Sequence, residues 1–407
     1  MIEVSTLILL LLVASAAVVV AALVHVSYTL VLLVLGLVLG AADLLPDVTP
    51  SSEVILLVFL PPLIFQAAFE MDMPTLWSVR TGVLMFALPG VLLAAAVGGA
   101  LVHWGFGMPW TLALLFGALI SATDPVSVLA TFKSLGVSER LRVLVEGESL
   151  LNDGTALVLL VTLTTAATGV ITAPEAVLDF AVAVVGGIVI GVVIGWVAHF
   201  IIATVDQHLT EMAVSVGVAY GAFLAADSLE VSGVLATIAA AMVLGWLGRS
   251  RGWVFSERSH DVLADLWDFL AFVANACLFL LIGLEVSVAG LREQPSAVVW
   301  GVVAALVGRA VVAYGGGFAL RWLRFPVSLP ERHVLFWGGL RGAVALAGVL
   351  SLPSDFPRRD ELLAMTYGAV LFTLIAQGIT IGPLVRRLGL AEPRTDREVI
   401  SADEPAT

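Results

Sequence analysis

The sequence predicts an all-α polytopic membrane protein with about thirteen transmembrane helices. Its 407 residues are 60% hydrophobic and only 13% charged, whereas about 25% of the residues of a soluble domain are charged. Apolar runs of about 20 residues, the length of a helix that crosses a bilayer, recur along the whole chain. Short polar segments separate these runs, so the chain is expected to cross the lipid bilayer repeatedly.

The chain divides into thirteen predicted spans joined by short loops. Helices are expected because lipid cannot satisfy exposed backbone N–H and C=O groups. The first run follows MIEV, which contains no basic residue, and we interpret it as a retained helix and not as a cleaved signal. The predicted spans are 5–24, 27–43, 52–69, 80–102, 109–131, 143–168, 175–203, 211–227, 231–247, 265–286, 296–319, 333–352 and 363–386.

A single transmembrane domain, residues 1–390, is predicted to be followed by a short disordered cytoplasmic tail, residues 391–407. The tail is polar and rich in acids and prolines. Walker-type and Rossmann-type glycine patterns are absent from the sequence, which gives no reason to expect a cofactor. The chain has one lysine and one cysteine, so neither a nucleic-acid partner nor an internal disulfide is expected.

The distribution of lysine and arginine predicts the orientation of the chain. If the N-terminus is outside, fourteen basic residues of the loops and tail lie on the inner side, and only Arg292, Arg358 and Arg359 lie on the outer side. Positive charge favours the cytoplasmic side. We therefore expect an outer N-terminus, a cytoplasmic C-terminus and a location in the plasma (cell inner) membrane.

Two aspartates lie inside predicted spans, where a charged carboxylate is costly. Asp124 belongs to the fifth span, and Asp153 follows in the sixth. Pro125 removes a backbone donor and clashes with the preceding turn, so the fifth helix is predicted to be interrupted there. Thr123 adds a hydroxyl to the carbonyl groups that the interruption frees. Interrupted helices of this kind form the ion sites of many secondary transporters.

The sixth span carries a polar stripe next to these groups. Helical spacing places Glu148 beside Asn152, and Ser149 beside Asp153. With the fifth span, the stripe offers carboxylate, hydroxyl and amide oxygens, which are the ligands that hard cations prefer. A hydrogen-bonded seam between two helices is the alternative, but such a seam would not need additional carboxylates.

Two arginines also lie within predicted spans. Arg341 is surrounded by three glycines, which predicts a second interrupted or closely packed helix over 333–352, and its buried charge must be paired. Glu148 is the expected partner of Arg341. The sequence assigns no partner to Arg309, for which snorkelling to a membrane surface is the alternative. Asn275 is interpreted as an interhelical hydrogen bond and not as a ligand.

The run SATDPVSVLATFKSLGVSERLRVLVEGESLLNDGTALVL, residues 121–159, resembles the central region of monovalent cation–proton antiporters of the NhaP and sodium–hydrogen exchanger type. Further segments resemble this family along nearly the whole chain, including FLPPLIFQAAF near 59–69, NACLFLLIGLEV near 275–286 and WGGLRGAVALAGVLSLP near 337–353. The resemblance implies thirteen helices in inverted repeats, with two discontinuous helices, near 109–131 and 333–352, crossing at the ion site. It also implies a homodimer.

The resemblance also assigns roles to individual residues. Asp153, Asp124, Ser149 and Thr123 are expected to hold the ion, Asn152 to orient the site, and Glu148 to pair with Arg341. One position departs from the family pattern, because Gln66 stands where the family often carries an acid. Glu70 lies one helical turn later and is the expected partial substitute.

The resemblance implies a secondary transporter, not an enzyme, that exchanges Na⁺ (or Li⁺) for H⁺ by alternating access and serves pH homeostasis. The Asn-Asp pair is associated with electroneutral exchange in this family, and we expect the same here. Exchange of K⁺ or of mixed monovalent cations is the alternative, because the ligand types do not distinguish sodium from potassium. The paired aspartates alone also suit an intramembrane aspartyl hydrolase, which usually has glycine before one aspartate, or a channel without proton coupling.

Overall fold

The computed structural model describes residues 11–17, 19, 28–42, 55–167, 172–204, 207–250, 257–286 and 288–391. Within these ranges every regular element is a helix. Seven of the helices are long and apolar enough to cross a membrane, and five further apolar helices are shorter. The predicted all-α membrane class is therefore confirmed.

Seventeen of the described α-helices are labelled α1 to α17 in chain order, and the three-residue helix Gly317–Ala319 carries no label. The first ten are α1 Tyr28–Ala41, α2 Leu60–Glu70, α3 Met73–Ala87, α4 Pro89–Leu101, α5 Trp110–Leu119, α6 Val126–Leu135, α7 Glu139–Ala167, α8 Ala173–Ala203, α9 His208–Asp227 and α10 Gly233–Ser250. The others are α11 Glu257–Glu285, α12 Val288–Glu293, α13 Pro295–Ala310, α14 Leu329–Trp337, α15 Ala343–Leu350, α16 Arg359–Phe372 and α17 Gly378–Arg387.

Each predicted span from the second to the thirteenth coincides with described helix. Of the first predicted span, 5–24, residues 11–17 and 19 are described, and they are helical. The predicted tail, 391–407, lies outside the described residues except for Ala391.

The two predicted interruptions are present and lie against each other. Residues 120–125 separate α5 from α6, and residues 338–342 separate α14 from α15. Pro125 immediately precedes α6, as expected for a residue that cannot continue a helix. The Asp124 N–H donates to the Leu340 carbonyl oxygen at 2.8 Å, so one interruption satisfies backbone groups that the other frees.

The order of the helices reveals an internal repeat. A long helix, an interrupted helix and another long helix occur as α3–α4, α5–α6 and α7, and again as α13, α14–α15 and α16–α17. Counted in predicted spans, the two sets begin at the fourth and the eleventh span. The first spans of the two sets are seven places apart, and because seven is odd the second set runs in the opposite direction through the membrane.

The helices form two packed groups. One contains α1, α2 and α8–α11, and the other contains α3–α7 and α13–α17. We call the second group the core group, because it carries both interrupted helices, and the first the scaffold group. The two groups meet along α7, which contacts α2, α8 and α10. A cavity lined by residues from both groups lies between them.

Candidate functional site

The cavity has a volume of about 370 Å³ and a polar inner end. Its wider part is lined by exposed side chains such as Lys133 and Asp268, together with Glu70, Arg142 and Glu146. Its inner end is lined by the residues of the two aspartate motifs and by two residues of the scaffold group. These inner residues are Thr123, Asp124, Ser149, Asp153, Tyr28 and Asn275.

Asp124 is held where the two interrupted helices cross. Its Oδ1 accepts a hydrogen bond from the Val126 N–H at 3.0 Å, which satisfies the first free backbone N–H of α6. Gly342 lies directly against the carboxyl group, since a Cβ atom at that position would be 2.4 Å from Asp124 Cβ. A glycine is therefore required for the close approach of the two chains.

Thr123 is fixed by two residues of α7. Asn152 donates from Nδ2 to Thr123 Oγ1 at 2.7 Å and accepts from the Thr123 N–H at 3.3 Å. Ser149 Oγ donates to the Thr123 carbonyl oxygen. All three side chains are buried. The unwound segment is thus bound to α7 through hydrogen bonds that are fully removed from lipid.

Asp153 lies one position beyond Asn152 on α7 and faces the same cavity. Its Oδ1 is buried and makes no hydrogen bond. A buried carboxylate oxygen without a partner is costly unless a proton or a cation binds to it. The geometry of this position therefore fits a group that takes either ligand.

The predicted pairing of Glu148 with Arg341 is wrong. Glu148 forms a bidentate ion pair with Arg309 instead: one guanidinium nitrogen bonds Oε1, and Nη2 bonds Oε2 at 3.1 Å. Arg309 also donates from Nε to the Leu335 carbonyl oxygen at 2.9 Å. It is only 6% exposed, so snorkelling to a membrane surface is excluded as well. The fork geometry of arginine matches the two carboxylate oxygens.

Arg341 binds backbone carbonyl groups. Its Nη1 donates to the carbonyl oxygens of Ser121 and Ala122 at 3.1 and 3.0 Å, and its Nη2 donates to that of Ala305 at 3.3 Å. The interruption after α5 leaves the carbonyl groups of Ser121 and Ala122 without helical partners. These two groups carry the negative end of the helix dipole. These carbonyl groups take the place of the carboxylate that the sequence led us to expect.

Gln66 lies between two acids of the cavity wall. Its Nε2 donates to Glu70 Oε2 at 3.1 Å and to Asp268 Oδ1 at 2.8 Å. Glu70, the predicted substitute for an acid at position 66, therefore lies in the same cavity as the aspartates. Gln66 links α2 to α11 within the scaffold group.

Sequence reasoning missed several residues of the cavity. Asp268, Glu146 and Tyr28 line it, but none was selected from the sequence. Asp268 precedes Asn275 by seven residues, which is two helical turns. This spacing in the sequence indicates that the two residues share one face of α11. Tyr28 gave no such signal, because its partner Asn275 is 247 residues away. The interhelical hydrogen bond predicted for Asn275 is present.

Comparison with known proteins assigns the chain to a family. A family model described as sodium/hydrogen exchanger, transmembrane, matches residues 7–387. The chain belongs to the sodium/hydrogen exchanger family. It is 35% identical over 380 residues to the Na⁺/H⁺ antiporter ApNhaP of Aphanothece halophytica, covering 93% of this chain and 72% of that protein. It is also 35% identical to the Na⁺/H⁺ antiporter NhaH of Halobacillus aidingensis, covering 88% of this chain and 91% of that protein.

The fold of this exchanger-family member also matches a solved structure. The sodium proton antiporter MjNhaP1 from Methanocaldococcus jannaschii, determined at pH 8, superposes with a TM-score of 0.77 and 20% sequence identity. The match covers 96% of this chain and 99% of that one. The protein is therefore a multi-pass membrane transporter and not an enzyme, which excludes the aspartyl hydrolase considered above.

Proposed function

We propose that this protein exchanges Na⁺ (or Li⁺) for H⁺ across the plasma membrane and so serves pH homeostasis. One observation carries the proposal: Asp153 Oδ1 is buried without a hydrogen-bond partner at the inner end of an open cavity that also contains Asp124. The relatives from Aphanothece and Halobacillus are named as Na⁺/H⁺ antiporters, and this supports sodium as the cation.

The proposed sodium ligands are Asp153, Asp124, Ser149 and Thr123. Ser149 Oγ donates its proton to the Thr123 carbonyl oxygen, so the hydroxyl oxygen keeps a lone pair for a cation. Asn152 holds Thr123 at two atoms and is proposed to orient the site without binding the ion. Oxygen ligands of this kind suit a hard cation, and the same carboxylates accept a proton.

The exchange is proposed to be obligatory because of the cost of moving charge. A site without proton or sodium carries an uncompensated carboxylate, and such a charge is expensive in a dry, low-dielectric barrier. The core group would therefore change its position against the scaffold group only when loaded. This coupling makes the site accessible from one side at a time, which is alternating access.

The charges near the site favour an exchange of one Na⁺ for one H⁺. Glu148 and Arg309 neutralise each other, and the hydrogen-bond acceptors of the Arg341 guanidinium are carbonyl groups. The positive charge of Arg341 can then offset one of the two aspartates. The remaining negative charge is neutralised equally by one sodium ion or by one proton, so both loaded states are neutral. We therefore propose electroneutral exchange.

The cavity is proposed to open to the cytoplasm. Lys133 and Arg142 line its wider part, and both lie on the inner side in the orientation predicted from the basic residues. A homodimer is proposed as the working assembly. The long helix α8 exposes many apolar side chains, among them Val185, Val189 and Val193, and this face suits lipid or a second copy of the scaffold group.

The test uses the purified protein in proteoliposomes with an internal pH dye. A sodium pulse should move protons in the parent protein, and Asp153→Asn should abolish the response because asparagine cannot exchange a proton. Pulses of Li⁺ and K⁺ decide between sodium exchange and the alternative, K⁺/H⁺ or mixed monovalent cation exchange. An Asp153→Asn variant that responds like the parent would refute the proposal.

A further inference from the structure

The scaffold group places two polar side chains opposite the aspartates. Tyr28, at the start of α1, and Asn275, in the middle of α11, line the inner end of the same cavity as Asp124 and Asp153. Asn275 Nδ2 donates to Tyr28 Oη at 3.0 Å. Asn275 is only 4% exposed. No proposed ion ligand comes from this side of the cavity. Gln66 of the same side bonds Glu70 and Asp268, so Tyr28 and Asn275 are the polar pair there that remains to be explained.

The pair is held on a rigid support. The backbones of α1 and α11 touch through glycines: a Cβ atom at Gly36 would lie 2.4 Å from the Leu280 carbonyl oxygen, and one at Gly283 would lie 2.3 Å from that of Leu33. The Tyr28 ring also packs on Phe272, with ring centroids 5.5 Å apart. Backbone-to-backbone contact leaves little freedom for the two helices to slide, so the Tyr28 hydroxyl has a defined position.

A direct hydrogen bond joins this wall to the aspartate motif. Thr29 Oγ1, next to Tyr28 in the chain, and Ser127 Oγ are 2.9 Å apart. Ser127 lies in the first turn of α6, three residues after Asp124. The bond fixes the distance between the scaffold wall and the aspartate end of the cavity in this conformation.

The hydrogen-bonding capacity of the pair fits a hydrated cation. A hydroxyl that accepts one hydrogen bond, as Tyr28 does from Asn275, retains its own proton and a second lone pair, and the Asn275 carbonyl oxygen is a further acceptor. A water molecule bound to a sodium ion turns its oxygen to the ion and its protons away, so it needs acceptors on its outer side. Tyr28 and Asn275 offer such acceptors opposite the carboxylates.

We propose that Tyr28, held by Asn275, is a positioning residue that binds the water on the scaffold side of the transported cation. A fixed wall sets the room left for the ion and its water, and it therefore contributes to the choice of sodium over the larger potassium ion. This inference depends on the proposed function, because it assigns a further contact to the same cation site.

The test is Tyr28→Phe, which removes one oxygen and keeps the ring on Phe272. In proteoliposomes we expect a rise of about two- to tenfold in the apparent KM for sodium, the range that one lost hydrogen bond produces. The maximal rate should change little, and the ratio of sodium to potassium transport should fall. Tyr220→Phe is the matched control, because the Tyr220 hydroxyl binds the Val58 carbonyl oxygen at 3.1 Å and does not line the cavity.

A second variant tests whether the pair acts as a unit. Asn275→Leu keeps the number and branching of the side-chain heavy atoms but releases the Tyr28 hydroxyl, so it should raise the KM for sodium to a similar extent. The double variant should be no worse than the more impaired single variant, as expected for coupled residues. The Asn275→Leu measurement alone decides the question if Tyr28→Phe does not yield folded protein.

The possible outcomes separate the two proposals. A parent protein that shows no sodium-driven proton movement overturns the proposed function and this inference together. A working parent whose variants keep the KM and the sodium-to-potassium ratio of the parent overturns the inference alone. Variants that lose thermal stability and yield, but not apparent sodium affinity, would show a purely structural hydrogen bond and would also overturn it.

Discussion

At the scale of single residues, the structure separates two kinds of buried charge. Glu148 and Arg309 satisfy each other, and Nη1 of Arg341 donates to two carbonyl groups beside an interrupted helix, while its Nε has no hydrogen-bond partner. Asp153 is different, because its unpartnered Oδ1 belongs to a side chain that lines the open cavity, whereas Arg341 does not line that cavity. Buried ion pairs hold the fold in place, whereas an unpartnered carboxylate oxygen is available for a ligand.

Substitution of either member of the Glu148–Arg309 pair is expected to lower stability strongly, and the effects of the two substitutions are not expected to add. Glu148→Gln leaves the Arg309 charge buried and unpaired, and we expect a loss of about 3 kcal/mol in the free energy of unfolding. Thermal unfolding in detergent, followed by tryptophan fluorescence, measures the effect. Glu139→Gln is the control, since the side chains of its ion pair with Arg142 are 49% and 37% exposed and the pair should be worth less than about 1 kcal/mol.

A double variant completes this prediction. Glu148→Gln combined with Arg309→Gln removes both charges and should be less harmful than the sum of the two single variants. Strict additivity of the two losses would mean that the ion pair contributes nothing specific to the stability of the protein.

At this scale the sequence identified the buried charged residues of the site but not the residues with which they pair. The free-energy cost of burying a charged side chain in a membrane indicated a functional or structural role for four residues. They are Asp124, Asp153, Glu148 and Arg341. The partner of Glu148 was mispredicted, since it depends on which side chain of α13 reaches α7 and on the carbonyl groups freed after α5. No local pattern in a sequence contains that information.

At the scale of helices, the decisive element is the crossing of the two interrupted helices. Pro125 and the glycines around Arg341 predicted both interruptions, because proline and glycine act on the backbone at their own position. The sequence did not determine how closely the two segments approach. In the structure, Gly342 lies against the Asp124 side chain, and the Asp124 N–H binds the Leu340 carbonyl oxygen.

Because Gly342 lies against the Asp124 side chain, we expect Gly342→Ala to disable transport. The added methyl group would lie 2.4 Å from Asp124 Cβ and 2.5 Å from its Oδ2, so the two chains must move apart or the aspartate must turn. We expect at least a tenfold loss of sodium-driven proton exchange in proteoliposomes, since misplacement of about 1 Å can cost that much. Gly221→Ala is the control, because nothing lies within 4 Å of its added Cβ. Equal activity of the two variants would contradict the proposed geometry.

At the scale of the whole molecule, two helix groups enclose one cavity that reaches the aspartates. The membrane class and the second to thirteenth spans followed from apolar length, because the bilayer fixes the length of a span. The division into scaffold and core groups did not follow from length, since it depends on which helices pack together. The resemblance to a known family supplied the expectation of inverted repeats, and the order of long and interrupted helices agrees with it.

The orientation of the molecule predicts the side of the membrane from which a reagent in water can enter the cavity. In a Cys277→Ala background, Ala130→Cys in the cavity wall should react with a membrane-impermeant thiol reagent added from the cytoplasmic side. Ser354→Cys, in the exposed loop after α15, should react only from the opposite side. Labelling of both positions from the same side would contradict the predicted orientation or the direction in which the cavity opens.

Competition of sodium and protons for Asp153 is measured most directly by calorimetric titration of the purified protein with NaCl. Titrations in two buffers of different ionisation enthalpy give the number of protons released for each sodium ion bound. We expect a release close to one proton at a pH where Asp153 is protonated, and neither binding heat nor proton release in Asp153→Asn. Sodium binding without proton release, or unchanged release in Asp153→Asn, would contradict it.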